Sequence, residues 1–240
     1  MSQSLLIARR ELYAYVRSPM GALIIAAALL VCGMWFNYFG MGRDLLSAAI
    51  LAEFFYAASG IVMISSVVLG MRLLAEERQS GSMILLKTAP INERDIVIGK
   101  FLAGYVMVIA LIVLTSYMPL HVYLNGKVSL GHIAVGYVGL LLLGAASIAI
   151  CLFASALASS QVVAVIIGAA LMTALIMLWA PAKVTDAPLN KFLSDLALHH
   201  DNFRPFMNGI LQLKSVAYYM MVTYFFLLCA TKVLEARRWR

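Results

Sequence analysis

The chain has 240 residues, 63% of them hydrophobic and only 12% charged, which excludes an ordinary water-soluble domain, whose apolar share is nearer half. A mean hydropathy of +0.93 points to a chain that lives in lipid. The net charge of +7 is laid out along the chain as membrane topology would require and carries no indication of nucleic acid.

A spanning helix needs roughly 20 mainly apolar residues at 1.5 Å rise each to cross about 30 Å of hydrocarbon, and the sequence has room for about six. The first apolar segment begins only after Arg17. No charged n-region, apolar h-region and small-residue cleavage pattern precedes it, so no removable signal peptide is expected. Cys32, Cys151 and Cys229 all fall inside apolar segments. They read as small hydrophobes, with neither metal spacing nor a disulfide framework.

Residues 1–18 place Leu5, Leu6, Ala8 or Arg9, Leu12 and Val16 along one helical side, with Arg9, Arg10 and Arg17 elsewhere. This suits a helix lying in the membrane interface, the alternative being a solvated tail. Pro19 opens span 1, about 20–40, which ends in an aromatic belt of Trp35, Tyr38 and Phe39. Arg43 and Asp44 mark a short outer loop. Span 2, about 50–72, carries Glu53 near its outer end; an acid inside a span is a pathway candidate unless it reaches the interface.

The polar stretch 72–100 interrupts the apolar pattern and holds more charge than any other window of equal length. Glu76, Glu77 and Arg78 lead into it, and Glu93, Arg94 and Asp95 lead out. Between them lie Met83, Ile84, Leu85 and Leu86, closed by Pro90. Gly81 permits a sharp reversal, Ser82 can cap a short helix, and Pro90 ends it. Four consecutive apolar side chains would expose too much apolar surface for a free loop, so a partner groove is expected to bury them, the alternative being a loop helix folded onto the headgroups.

Span 3 covers about 96–118, with Asn92 as N-cap and Asp95 completing a capping box. An outer loop with Pro119, His121, Asn125, Gly126, Lys127 and His132 is expected next. Span 4, about 133–157, and span 5, about 162–180, are joined by Ser159, Ser160 and Gln161 as an antiparallel hairpin. Ser147, Cys151, Ser155 and Ser159 recur at i, i+4, a small-residue stripe for close helix packing or for a polar path. After Trp179 and Pro181, the segment 182–213 should form two short helices that dip partly into the outer leaflet. Leu189, Phe192, Leu193, Leu196 and Leu198 supply the first, and Phe203, Phe206, Ile210 and Leu211 follow a turn of His199, His200, Asp201 and Asn202. Span 6 is about 215–233.

Six spans put both termini on one side. Arg9, Arg10, Arg17, Arg72, Arg78, Lys87, Arg94, Lys100, Lys232, Arg237, Arg238 and Arg240 would share that side, against Arg43, Lys127, Lys183, Lys191, Arg204 and Lys214 on the other. The positive-inside bias therefore predicts cytoplasmic termini and a cytoplasmic 72–100 stretch.

Motifs for chemistry are absent from the sequence. Gly99-Lys100 lacks the earlier glycine and the following Ser or Thr of a phosphate-binding loop, so the chain is not expected to hydrolyse ATP. No nucleophile elbow or zinc-binding HExxH is present. His199, His200 and Asp201 could be weighed as a metal or acid/base site, but neighbouring histidines point to different sides of a helix.

Glu77-Arg78-Gln79-Ser80-Gly81-Ser82, then Leu85, Leu86, Thr88, Pro90 and Ile91, then Gly99-Lys100 resemble the signature region of ABC-2 transporter permeases. Ser82 stands where that family often has Thr, preserving the capping hydroxyl. The C-terminal Phe203, Phe206, Gly209-Ile210, Tyr218-Tyr219, Phe225-Phe226 and Leu234-Glu235-Ala236-Arg237-Arg238-Trp239 look more narrowly like permeases of the gliding-motility subgroup.

The resemblance implies one all-α transmembrane domain over 1–240, multi-pass in a bacterial inner membrane. It implies a coupling helix between spans 2 and 3 that docks on a separate ABC ATPase subunit, with Glu76, Glu77, Arg78, Gly81, Ser82, Met83, Leu85, Leu86 and Pro90 as the partner-binding set. Glu53, Ser147, Ser155 and Ser159 remain pathway or packing residues. No cofactor is expected in this chain, ATP and Mg belonging to the partner subunit. A second copy of the chain or a related permease would complete the transporter. The subgroup resemblance adds an alternative, a scaffold driving an auxiliary membrane protein with a large extracytoplasmic domain.

Overall fold

The computed structural model describes residues 3–41, 46–79, 81, 92–186 and 189–238. Among them all regular structure is helical. Helix α1 runs Gln3–Arg17 and α2 Pro19–Trp35, continued by a π-helical turn over Phe36–Met41. Next come α3 Ser47–Gln79, α4 Glu93–Leu114, α5 Tyr117–Asn125, α6 Leu130–Leu157, α7 Gln161–Met177 and the short α8 Trp179–Ala182. Two eight-residue helices, α9 Leu189–Leu196 and α10 His200–Met207, precede α11 Leu213–Arg238. Six stretches are long and apolar enough to cross a membrane, which makes the chain an all-α polytopic membrane protein.

Helix α6 is the centre of the bundle, 72% buried over its most apolar window against 17% for each of the spans built on α7 and α11. Its glycines are the reason. A Cβ at Gly136 would stand 2.1 Å from the Phe55 ring of α3, one at Gly139 2.6 Å from Phe206 of α10, and one at Gly144 2.8 Å from Val108 of α4. In lipid, helices associate through close packing rather than water exclusion, so bare backbone is what lets three neighbours seat on one rod. A Cβ at Gly70 would likewise overlap that of Cys151, at 2.3 Å, where α3 crosses α6.

Several boundaries differ from expectation. Span 2 begins at Ser47 and continues to Gln79, so the first part of the polar stretch is more of the same helix. Pro119, His121 and Asn125 lie in helix α5, where a loop was expected. The break comes earlier, at Thr115 and Ser116, and Pro119 falls in the first turn of α5, where no intrahelical donor is needed. Asn92 does occupy the N-cap of α4 but makes no side-chain capping bond, so the capping box does not form. Ser160 caps α7 by accepting from the Val163 N–H, and the hairpin of α6 and α7 is as tight as its short turn predicts. Helix α1 has a second apolar side: Leu5, Leu6 and Val16 face outward as expected, while Ile7, Ala8 and Tyr15 are buried.

Candidate functional site

The residues of the polar stretch that the structure describes converge at the end of the bundle that carries both termini. Gly99 allows this. A Cβ there would lie 2.7 Å from the Ser4 carbonyl oxygen and 2.8 Å from the Ile7 Cβ, so the missing side chain lets α1 settle directly on α4. The next residue, Lys100, is then sealed beneath α1 with its side chain 0% exposed. A buried ammonium must be paired, and Lys100 Nζ lies 3.0 Å from Glu77 Oε1 of α3 and 3.2 Å from Glu11 Oε1 of α1. Arg10 closes the ring at 2.9 Å from Glu11 and 3.0 Å from Glu77. Two acids and two bases cancel, and three helices are joined. Burial alone would raise the Glu11 carboxyl, but the Lys100 charge and the Arg10 hydrogen bond outweigh it and hold it below its ordinary value.

A second anchor lies one to two turns further into α3. Tyr15 donates to the Leu69 carbonyl at 2.8 Å, and the Arg72 guanidinium sits 5.5 Å from the Tyr15 ring centroid. Arg72 also donates to Ser18 Oγ at 3.2 Å and grips Glu76 with two bonds of 2.7 and 2.9 Å. On the α6 side, Ser155 Oγ accepts from the Leu74 and Ala75 N–H groups at 3.0 and 2.9 Å and donates to the Met71 carbonyl at 3.3 Å. A hydroxyl set into a helix ladder in this way marks a position where the helix can bend. The last carbonyls of α6 are closed by two arginines: Arg78 donates to Ala158 O at 2.5 Å and Arg237 of α11 to Leu157 O at 2.8 Å. Cations suit that end of a helix, where carbonyls lack intrahelical partners.

The final turns of α3 are thus held by α1, α4 and α6. Glu76, Glu77 and Arg78 all make their bonds inside the chain. Gly81 follows with φ +74° and open space around it, a left-handed conformation that glycine adopts without penalty. Ser82, Met83, Leu85, Leu86 and Pro90 lie outside the described residues, and the chain returns at Asn92.

Of the remaining candidates, Ser147 and Ser155 are buried between helices, whereas Ser159 is exposed beyond the end of α6. Glu53 is at the opposite end of α3, half-buried beside a cavity shared with Tyr56, His132 and Asn208. His199 and His200 diverge. His199 Nε2 lies 2.7 Å from Ser59 Oγ, while His200 stacks on Trp179 at 4.9 Å. Burial, with a smaller contribution from His200, pushes His199 down to about 4. No group of three metal-ligating side chains occurs among the described residues.

Sequence reasoning missed the Glu11–Lys100–Glu77 ring. A signal existed: Lys100 follows a glycine at the head of an apolar span, where an ammonium needs acids brought by other helices. The sequence model of the ABC-2 family transporter proteins matches residues 5–234. No curated protein shows a significant match to the chain.

Proposed function

Because the chain belongs to the ABC-2 family of transporter proteins, we propose that it is the permease subunit through which a separate ATP-binding subunit drives movement across a bacterial inner membrane. The termini and residues 76–92 face the cytoplasm in this reading, and the ATPase grips the segment from Gly81 to Pro90, with Met83, Leu85 and Leu86 as its apolar contacts. ATP and Mg bind to the partner. A second permease, a copy of this chain or a relative, completes the route.

The observation that carries the reading is the buried ring around Lys100. Residues 82–91 join α3 to α4 in the sequence, and both flanking helices are tied to each other and to α1 by neutralised ion pairs. A push on the segment therefore moves three helices together rather than one loop. The pivot is the Ser155 hydroxyl within the α3 ladder, beside the Gly70–Cys151 crossing. Exposed charge pairs contribute only about 0–1 kcal/mol each, so apolar docking dominates the grip. Replacing Leu85 or Leu86 by Asp should abolish substrate-coupled ATPase activity of the assembled transporter while membrane insertion is unchanged. Full coupling in both variants refutes the assignment.

The C-terminal resemblance to the gliding-motility subgroup supports a narrower version, in which the moving helices drive an auxiliary protein outside the membrane. Helix α9 offers such a partner exposed Leu189 and Phe192. An ATPase rate that responds to that protein and to no small solute selects this version.

A further inference from the structure

We propose that the cleft along the outer half of α3 binds a single amphiphile with an amine-bearing head and a hydrocarbon tail, which names a substrate class for the permease reading and rests on it. Three cavities run end to end there and share walls. The first, about 820 Å³, is lined by Ala49, Glu53, Tyr56, His132 and Asn208 among others. Tyr56 also borders the second, about 330 Å³, with Trp35, Ser59, His199, Val31 and Ile64. Val31 and Ile64 continue into the third, about 290 Å³, whose other walls include Leu23, Ala27, Ala28 and Val68.

Ala49, Glu53, Tyr56, Gly60, Ile64 and Val68 follow one another at three- and four-residue steps, so a single face of α3 floors the whole cleft. Glu53 and Val68 are separated by roughly 22 Å of helix rise. That exceeds the roughly 15 Å of one leaflet's hydrocarbon.

Polarity changes along this length. The cleft is apolar from Val68 to Ile64, becomes mixed at Ser59 and His199, and is acidic at Glu53. Among the described residues the Glu53 carboxylate has no hydrogen bond or ion pair, and the Trp35 indole N–H is buried without an acceptor. An apolar trough open to lipid takes a hydrocarbon chain. A lone half-buried carboxylate next to an exposed tyrosine ring takes an ammonium, through a charge-assisted hydrogen bond and the ring face. An anionic head would meet Glu53 as a like charge, which disfavours it. A helix of a second copy laid in the cleft would bury Glu53 unpaired, which is also costly.

The test uses the full chain in phosphatidylcholine nanodiscs with Trp179→Phe and Trp239→Phe, leaving Trp35 as the emitter. Dodecylamine brominated along its chain, and the matching alcohol and sulfate, are titrated as quenchers. The expected result is saturable quenching, tightest for the amine by about tenfold or more. Glu53→Gln should erase the amine's advantage over the alcohol, and Ala28→Phe, which fills the trough, should abolish saturation for all three. Equal quenching by the three heads overturns the proposal, as does an unchanged amine preference in Glu53→Gln. A disulfide formed between copies through Ile64→Cys would show the cleft to be a subunit interface and overturn it too. No ATPase is needed, so loss of coupling in the Leu85 or Leu86 variants with probe binding intact, or the reverse, separates failure of one reading from failure of the other.

Discussion

At its carboxyl end α3 carries Arg72, Glu76, Glu77 and Arg78, and each is bonded to a named group on its own helix or on α1, α2, α4 or α6. At its amino end the same helix carries Glu53 beside open space, and neither it nor the Trp35 N–H of the adjoining cavity has a partner among the described residues. One end is laced with ion pairs; the other is hollow and lacks them among the described residues. Stability is generated where polar groups are paired, and binding is available where they are not. A single rod of 33 residues therefore joins a grip that must not yield to a surface with unused capacity.

The contrast breaks most sharply at Lys100. Lys100→Met takes the buried ammonium away from Glu11 and Glu77, and removing one member of a buried ion pair costs about 3–5 kcal/mol. The thermal midpoint in detergent should fall accordingly. Adding Glu77→Gln to the same chain should recover much of the loss, because Arg10 and Glu11 then remain as one base and one acid. Glu53→Gln at the other end should move the midpoint by less than about 0.5 kcal/mol equivalent, as an unpartnered, half-exposed group does. Equal effects at the two ends would dissolve the comparison.

Gly99→Ala probes the same grip sterically. Its new methyl would lie within 3 Å of both the Ser4 backbone oxygen and Ile7, and overpacking of this kind costs about 1–3 kcal/mol. Amide exchange across α1 should accelerate while that of α10, at the far end, is unaffected.

Much of this fold was legible because its signals are local. Apolar runs of about 20 residues mark the spans, the three-residue gap at Ser159 marks a hairpin, and the two amphipathic runs around His199 become α9 and α10. What escaped notice depends on partners distant in sequence. Glu11 and Lys100 are 89 residues apart, and nothing near either one names the other. Pro119 was misread because a proline signals a break only where its missing N–H matters, and in the first turn of α5 it does not. Ser155 was legible as a small packing residue; its insertion into the α3 ladder depends on the Gly70–Cys151 approach, a property of two helices. The segment 82–91, where the expected grip is concentrated, lies outside the described residues, so its role rests on the sequence pattern and on the levers that flank it.

The mildest test uses pH, and it acts on the two ends in different ranges. His199 sits in the turn before α10. The Ser59 hydroxyl donates to the Tyr56 carbonyl at 2.6 Å, which leaves its oxygen as acceptor and assigns the His199 proton to Nε2. The ring also stacks on Phe203 at 5.2 Å and meets Tyr56 edge-on at 5.7 Å; His200 is the adjacent titratable group, and a positive charge finds no acid among these contacts. With its folded value near 4 and an ordinary value near 6.5, the neutral imidazole contributes its full anchoring above about pH 6.5. That contribution declines as pH falls toward 4, because the released ring takes up a proton that the docked ring does not. Glu11 behaves differently: its folded value lies below the ordinary carboxylate value, so its contribution stays intact until pH falls below about 4.5. At pH 5, therefore, the protection of the α10 amides, taken as the ratio of intrinsic to observed exchange rate at each pH, should be lower than at pH 7, while that of α1 at the buried ring is unchanged. His199→Gln, which keeps a donor for Ser59 and cannot titrate, should remove the difference at α10. If α1 loosens first, or if His199→Gln leaves the pH response of α10 unchanged, the pH contrast drawn between the two ends of α3 is wrong.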